Sequence, residues 1–75
     1  MEELLRILND LHDDVDYDTE EELVDGGILD SLDIVTLVTE IHAAYDVIIP
    51  AEELIPENFN SAKAIYALIC RLDED

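Results

Sequence analysis

The chain has 75 residues and a formal net charge of −18, with 21 acidic residues against three basic ones. This charge excludes direct binding to nucleic acid and docking on anionic membranes, because phosphate groups would be repelled. Since 49% of the residues are apolar, the chain is not a disordered acidic tail, and its length suits one domain with one core over residues 1–75. The charge favours partners that have basic docking surfaces.

The single cysteine, Cys70, cannot form an internal disulfide, which fits a reducing compartment. No basic segment followed by an apolar run opens the chain, so we expect no secretory signal. The apolar runs are too short to cross a bilayer, and we expect no membrane insertion. We therefore expect a cytoplasmic protein, and we expect it to act as a monomer.

Helical periodicity predicts three main helices, and no alternating pattern is long enough for a sheet. Their predicted ranges are about residues 2–13, 31–45 and 62–72. A long acidic connection covers residues 13–30. A short helix is predicted to begin at Pro50 and to stop at Pro56. The predicted fold is all-α, a small four-helix bundle made of three main helices and one short helix.

The second predicted helix has apolar residues on two faces. At about 3.6 residues per turn, one face collects the side chains expected in the core, namely Ile34, Leu37, Val38, Ile41 and Tyr45. Leu32, Val35, Thr36 and Thr39 point broadly the other way. Single exposed apolar residues are common on protein surfaces. A pair of them, Leu32 and Val35, beside a candidate reactive serine indicates a partner-binding patch.

Ser31 is the candidate functional residue, because it stands where a glycine-containing loop meets the second helix. One interpretation is structural, since Asp30 or Ser31 would be a favoured helix cap. The other is a serine that is presented for modification, because a phosphate on its hydroxyl would be stabilised by the helix dipole and by unpaired N–H groups. No base is placed to activate Ser31, so another enzyme would have to modify it. The residues alone leave both interpretations open.

The acidic connection contains a partial match to a calcium-binding loop. Asp14, Asp16 and Asp18 occupy the first, third and fifth places of such a loop. Thr19 stands where the sharp turn needs glycine, and Asp25 is a shorter acid than the usual final glutamate. We interpret this segment as a solvated acidic loop, with a calcium-sensing domain as a competing hypothesis.

Three further residues are of types that can bind a metal or act in catalysis, but their spacing in the sequence supports neither role. His12 and His42 have no ligand spacing to one another or to cysteine, and Cys70 lies on a helix used for packing. We expect no metal site and no catalysis by the chain itself. An unmodified acidic interaction module, which docks basic partners through the second helix, is the alternative function.

The stretch GILDSLDIV at 27–35 resembles the attachment site of acyl and peptidyl carrier proteins. YDVIIP at 45–50 and FNS at 59–61 resemble the segments that follow the family's second helix and begin its last helix. The resemblance implies that a phosphopantetheinyl transferase esterifies Ser31 with 4'-phosphopantetheine, whose thiol then holds an acyl or aminoacyl group as a thioester. It also implies that Asp30 assists the modification, and that Leu32 and Val35, with Thr36 and Thr39 beside them, contact partner enzymes.

Departures from the fatty-acid carriers point to a subtype. Leu29 stands where those carriers commonly have alanine. Thr36, Thr39, His42 and Ala43 occupy outward positions where those carriers typically have acids. Residues 50–61 resemble D-alanyl carrier proteins in particular. That likeness implies an adenylating ligase that loads the arm, and an acyltransferase or synthase with a basic docking surface that receives the cargo. The cargo stays open between D-alanine, another amino acid, and a fatty or other acyl group.

Overall fold

The computed structural model describes residues 2–73, and these residues form four α-helices and no strand. The helices are α1 (Glu2–Leu11), α2 (Ser31–Tyr45), α3 (Pro56–Phe59) and α4 (Ala62–Asp73). α1 packs against α2 and α4, and α3 packs against α4. The predicted all-α bundle of three main helices and one short helix is confirmed. Within residues 2–73, no helix is both long enough and apolar enough to span a membrane.

α2 begins and ends where the sequence predicts, because both of its ends carry strong local signals. Asp30 is the N-cap, and its side chain accepts a hydrogen bond from the Asp33 amide. At the other end Asp46 adopts a left-handed conformation with φ of 57°, and its N–H donates to the carbonyl of His42 at 3.0 Å. An aspartate tolerates this conformation better than most residues. The helix therefore stops after Tyr45.

The core collects the predicted apolar stripes of the three main helices. Its largest fully buried side chains are Leu4, Leu8, Leu23, Leu37, Ile41, Phe59, Ile65 and Leu68. On α2, Ile34, Val38 and Tyr45 pack against this core from its edge. Two buried residues of the acidic connection, Tyr17 and Leu29, were not predicted as core residues. They hold a long segment without helices against the bundle.

The short helix predicted from Pro50 is present as a 3₁₀ helix, and a second short helix, which is α-helical, was not predicted. Residues Ala51–Glu53 form a 3₁₀ helix, and the short α-helix begins at Pro56, where the prediction had a helix stopping. Proline suits the first position of a helix, because its fixed φ is helical and no amide is needed there. Ile55 is extended, with φ of −117° and ψ of 150°, as a residue before proline tends to be. Pro56 thus starts α3, and Phe59 closes it against the core.

Candidate functional site

Ser31 is the first residue of α2 and is exposed. The two aspartates that flank the first turn close a capping box around it. The Asp33 N–H donates to Asp30 Oδ1 at 2.9 Å, and the Asp30 N–H donates to Asp33 Oδ2 at 3.3 Å. The capping role therefore belongs to Asp30, so the Ser31 hydroxyl lies outside the capping box and faces solvent.

The loop that leads to Ser31 requires glycine at two successive positions. Gly27 has φ of +78°, a conformation that L side chains rarely adopt. At Gly26 an added Cβ would lie 2.5 Å from the carbonyl oxygen of Glu22. Two residues later, the Leu29 N–H donates to the carbonyl of Leu23 at 2.8 Å, and both of these side chains are buried. The chain is thus fixed just before the capping box.

Asn60, which is distant in the sequence, holds the same loop in place by hydrogen bonds. We call this set of contacts the Asn60 clamp. Its side-chain oxygen accepts hydrogen bonds from the Val24 and Asp25 amides, each at 3.0 Å, and its Nδ2 donates to Asp25 Oδ2 at 3.0 Å. Its backbone carbonyl accepts from the Leu23 amide at 2.9 Å. This role of Asn60 was not predicted from the sequence. An asparagine offers both an acceptor and donors, but no local pattern shows where its partners lie.

A second contact missed from the sequence joins the end of α1 to the start of α2. His12 Nε2 lies 2.8 Å from Asp33 Oδ2. The hydrogen bond to Asp33 raises the pKa of His12, and the Asp33, Asp14 and Asp30 charges act in the same direction. The same hydrogen bond lowers the pKa of Asp33. The only hint in the sequence is a histidine just after α1 in a chain with many acids.

The outward side of α2 is arranged as predicted. Leu32 and Val35 are 76% and 62% exposed, and Thr36 and Thr39 are exposed beside them. We call these four residues the outward patch. The Thr39 hydroxyl donates to the Val35 carbonyl at 3.0 Å, so it is already engaged within the helix. The exposure of the patch is confirmed, and its binding to partners stays a prediction.

A small apolar pocket lies between α2 and α3. Its volume is about 110 Å³. It is lined by Val24, Ile34, Leu54, Ile55, Pro56 and Phe59. Ile34 follows Ser31 by three residues, so the pocket begins about one helical turn from the serine. A short group on Ser31 could reach this apolar surface.

The other candidate residues stay apart from this site. Within residues 2–73, no group of three or more histidine, cysteine or acidic residues is placed to hold a metal ion. In the acidic connection, the Asp18 N–H donates to Asp16 Oδ1 at 3.2 Å, which is a local turn contact. Cys70 and His42 are exposed, on α4 and α2 respectively.

The residues around Ser31 fit a phosphate ester. The hydroxyl is exposed, and it stands at the positive end of a helix with 15 residues. Backbone N–H groups at such a position favour an anion. The acceptor group of a phosphopantetheine arm is therefore available in this structure.

Comparisons with known proteins agree with this geometry. The phosphopantetheine attachment site family matches residues 1–69. A D-alanyl carrier protein of Streptococcus suis is 32% identical over 72 residues, which cover 95% of this chain and 91% of the relative. A D-alanyl carrier protein of Streptococcus mutans is 34% identical over 71 residues, which cover 93% of this chain and 90% of the relative. No solved structure matches the chain significantly.

These matches confirm the resemblance to carrier proteins, including the likeness to D-alanyl carriers. They span most of the chain, from its first helix to its last. The members of the matched family carry 4'-phosphopantetheine on a serine, which confirms the predicted cofactor. The chain belongs to the phosphopantetheine attachment site family, and its role is that of a phosphopantetheine carrier.

Proposed function

We propose that Ser31 is the attachment residue, and that the chain carries an aminoacyl group as a thioester on the arm. The observation that carries this proposal is the position of Ser31. It is exposed at the start of α2, and Asp30, not Ser31, is the N-cap of that helix. Asp30 assists the modification by holding the first turn around the serine. The bound arm supplies the thiol, and the protein's own residues present it.

The cargo that we propose is D-alanine, as in the names of the two relatives. The pocket between α2 and α3 is too small to enclose a long acyl chain, because its volume of about 110 Å³ is well below the roughly 300–1,000 Å³ of pockets that enclose larger ligands. A fatty or other acyl group is the alternative. Purification from the native cell, followed by intact mass measurement, would identify the loaded group directly.

The partners that we propose are a phosphopantetheinyl transferase, an adenylating ligase, and an acyltransferase or synthase that receives the cargo. A net charge of −18 favours basic docking surfaces and fast, salt-sensitive association. We propose that residues 1–75 act as a single, monomeric and non-catalytic domain in the cytoplasm. The exposed thiol of Cys70, which forms no disulfide, supports a reducing compartment.

The test is a modification assay on the purified chain. The protein is incubated with coenzyme A and a broad-specificity phosphopantetheinyl transferase, and its intact mass is measured. We expect a mass increase that corresponds to one phosphopantetheine, and fragmentation should locate it on Ser31. No adduct under these conditions, or an adduct on another residue, would contradict the assignment.

Truncation of the outward patch should weaken recognition without weakening the fold. We expect Leu32→Ala and Val35→Ala each to lower kcat/KM of the transferase reaction about tenfold, because truncation of one of the few central anchor residues of an interface costs over 1 kcal/mol, and about 1.4 kcal/mol corresponds to tenfold. Both side chains are mostly exposed, so thermal unfolding should hardly change.

Ile48→Ala is the matched control for these variants. Ile48 is 74% exposed, close to the 76% of Leu32, but it lies in the segment after α2. We expect its kcat/KM to stay within about twofold of the wild type. An equal loss in Ile48→Ala and Leu32→Ala would show that the transferase does not select the outward patch.

A further inference from the structure

One polar contact ties the end of α1 to the first turn of α2. His12 directly follows α1, and its own N–H still donates to the carbonyl of Leu8 at 2.9 Å. Its Nε2 lies 2.8 Å from Asp33 Oδ2, across 21 residues of sequence. The two side chains are 34% and 21% exposed, so water screens the contact only in part.

The carboxylate that His12 contacts is the one that completes the capping box. Asp33 Oδ2 accepts hydrogen bonds both from His12 and from the Asp30 backbone N–H, while the Asp33 N–H donates to Asp30 Oδ1. Ser31 lies between these two aspartates. A displacement of the Asp33 side chain would therefore leave the Asp30 N–H without its acceptor and loosen the turn that presents the Ser31 hydroxyl.

His12 is itself held firmly enough to act as an anchor. The Tyr17 hydroxyl shares its proton between the carbonyls of His12, at 2.7 Å, and Leu8, at 2.8 Å. Tyr17 is buried, although it belongs to the acidic connection. The backbone of His12 is thus fixed to the bundle, and its imidazole extends from a fixed base toward α2.

We propose that His12 is a positioning residue for Ser31. The protonated imidazole holds the Asp33 carboxylate in the capping box and so keeps the first turn of α2 in the geometry in which Ser31 is modified. This hold weakens when the imidazole loses its proton. The inference rests on the proposed attachment at Ser31, and it adds a pH-sensitive support to that site.

The direction of the pH dependence follows from the groups that face the imidazole. These are Asp33 within α2, Asp30 at its N-cap and Asp14 in the acidic connection, while the phenol of Tyr17 contacts the backbone carbonyl of His12 and not its ring. The pKa of His12 is raised above its ordinary 6.5, chiefly by the hydrogen bond to Asp33. The contribution of the pair is therefore complete below that value and is lost as pH rises through the raised pKa. On the acid side it persists until Asp33 protonates, at a pKa below its ordinary 3.8.

Loss of the proton weakens the contact without removing it. A neutral imidazole with hydrogen on Nε2 still donates to Asp33, but a charge-assisted hydrogen bond is roughly twice as strong. We therefore expect the protection of the Asp33 amide against hydrogen exchange to fall about fivefold as pH rises through the pKa of His12. A fivefold change is large enough to measure by NMR.

The experiment follows His12 and the first turn of α2 together, on the full chain. NMR gives the pKa of each histidine and the exchange protection of the Asp33 amide between about pH 5.5 and pH 8.5. In parallel, kcat/KM for modification by the transferase is measured as a ratio of wild type to His12→Gln at each pH. The ratio removes the pH dependence of the transferase itself.

His12→Gln should show low protection of the Asp33 amide at every pH, while the wild type reaches that level only above the pKa of His12. Because the glutamine amide is a neutral N–H donor, as the deprotonated imidazole is, the kcat/KM ratio should be about fivefold below that pKa and should approach one above it. In Asp33→Asn, the pKa of His12 should fall back toward 6.5. His42→Gln removes the other, exposed histidine and should keep the wild-type protection profile.

Two results would overturn the positioning role. One is a pKa of His12 at or below 6.5 in the wild-type chain. The other is a rate of adduct formation that is equal in wild type and His12→Gln across the whole range, which would leave the attachment at Ser31 intact. The absence of any adduct in either protein would instead overturn the proposed function.

Discussion

Ser31→Ala should gain no phosphopantetheine under conditions in which the wild-type chain is fully modified. The ester needs a hydroxyl oxygen, and alanine has none. The fold should survive, because Asp30 is the N-cap and alanine has the highest helix propensity. Intact mass measurement reports the adduct, and thermal unfolding should show a midpoint at or slightly above that of the wild type.

The matched control is Ser61→Asn, which removes the other serine of the chain. The Ser61 hydroxyl accepts a hydrogen bond from the Ala64 N–H at 3.0 Å and so caps α4. Asparagine is also a favoured N-cap, so α4 should keep its start. We expect this variant to be modified like the wild type.

Two outcomes would contradict the assignment of Ser31. An adduct that survives Ser31→Ala would place the arm elsewhere. Full biological function of Ser31→Ala would favour the alternative, an unmodified acidic module that docks basic partners through α2.

Phe59→Ala should be the most damaging substitution for stability. Phe59 is 1% exposed, ends α3 and lines the pocket beside α2. Truncation of a buried phenylalanine costs about 3–5 kcal/mol, a large part of the roughly 5–15 kcal/mol that stabilises a typical domain. Urea unfolding should show this loss in the free energy of unfolding.

The charge of the chain sharpens this prediction. At a net charge of −18, the acidic side chains repel one another in the folded state, and salt screens this repulsion. Phe59→Ala should therefore be largely unfolded at low ionic strength and should regain its fold when salt is added. Val35→Ala is the control, because it truncates a side chain that is 62% exposed. Its free energy of unfolding should stay within about 0.5 kcal/mol of the wild type. Similar losses in both variants would contradict the burial of Phe59.

Local signals account for the parts of the fold that the sequence predicts well. The limits of α2 follow from Asp30 and Asp46, which act on their immediate neighbours. The buried and exposed sides of α2 follow from the period of the helix alone. The short helix that begins at Pro56 was missed because proline can end one helix or begin another, and nothing adjacent in the sequence decides between the two.

The sequence by itself therefore determined the all-α class, the second helix with its two faces, and Ser31 as the residue to test. Caps and apolar periods act over about four residues, so they can be read directly from the chain. Only the tertiary structure decided what supports Ser31. The His12–Asp33 contact spans 21 residues, and the side-chain contacts of the Asn60 clamp span up to 36. Such polar pairs leave no repeating pattern in the sequence, and they form only after packing of the core has brought distant segments together.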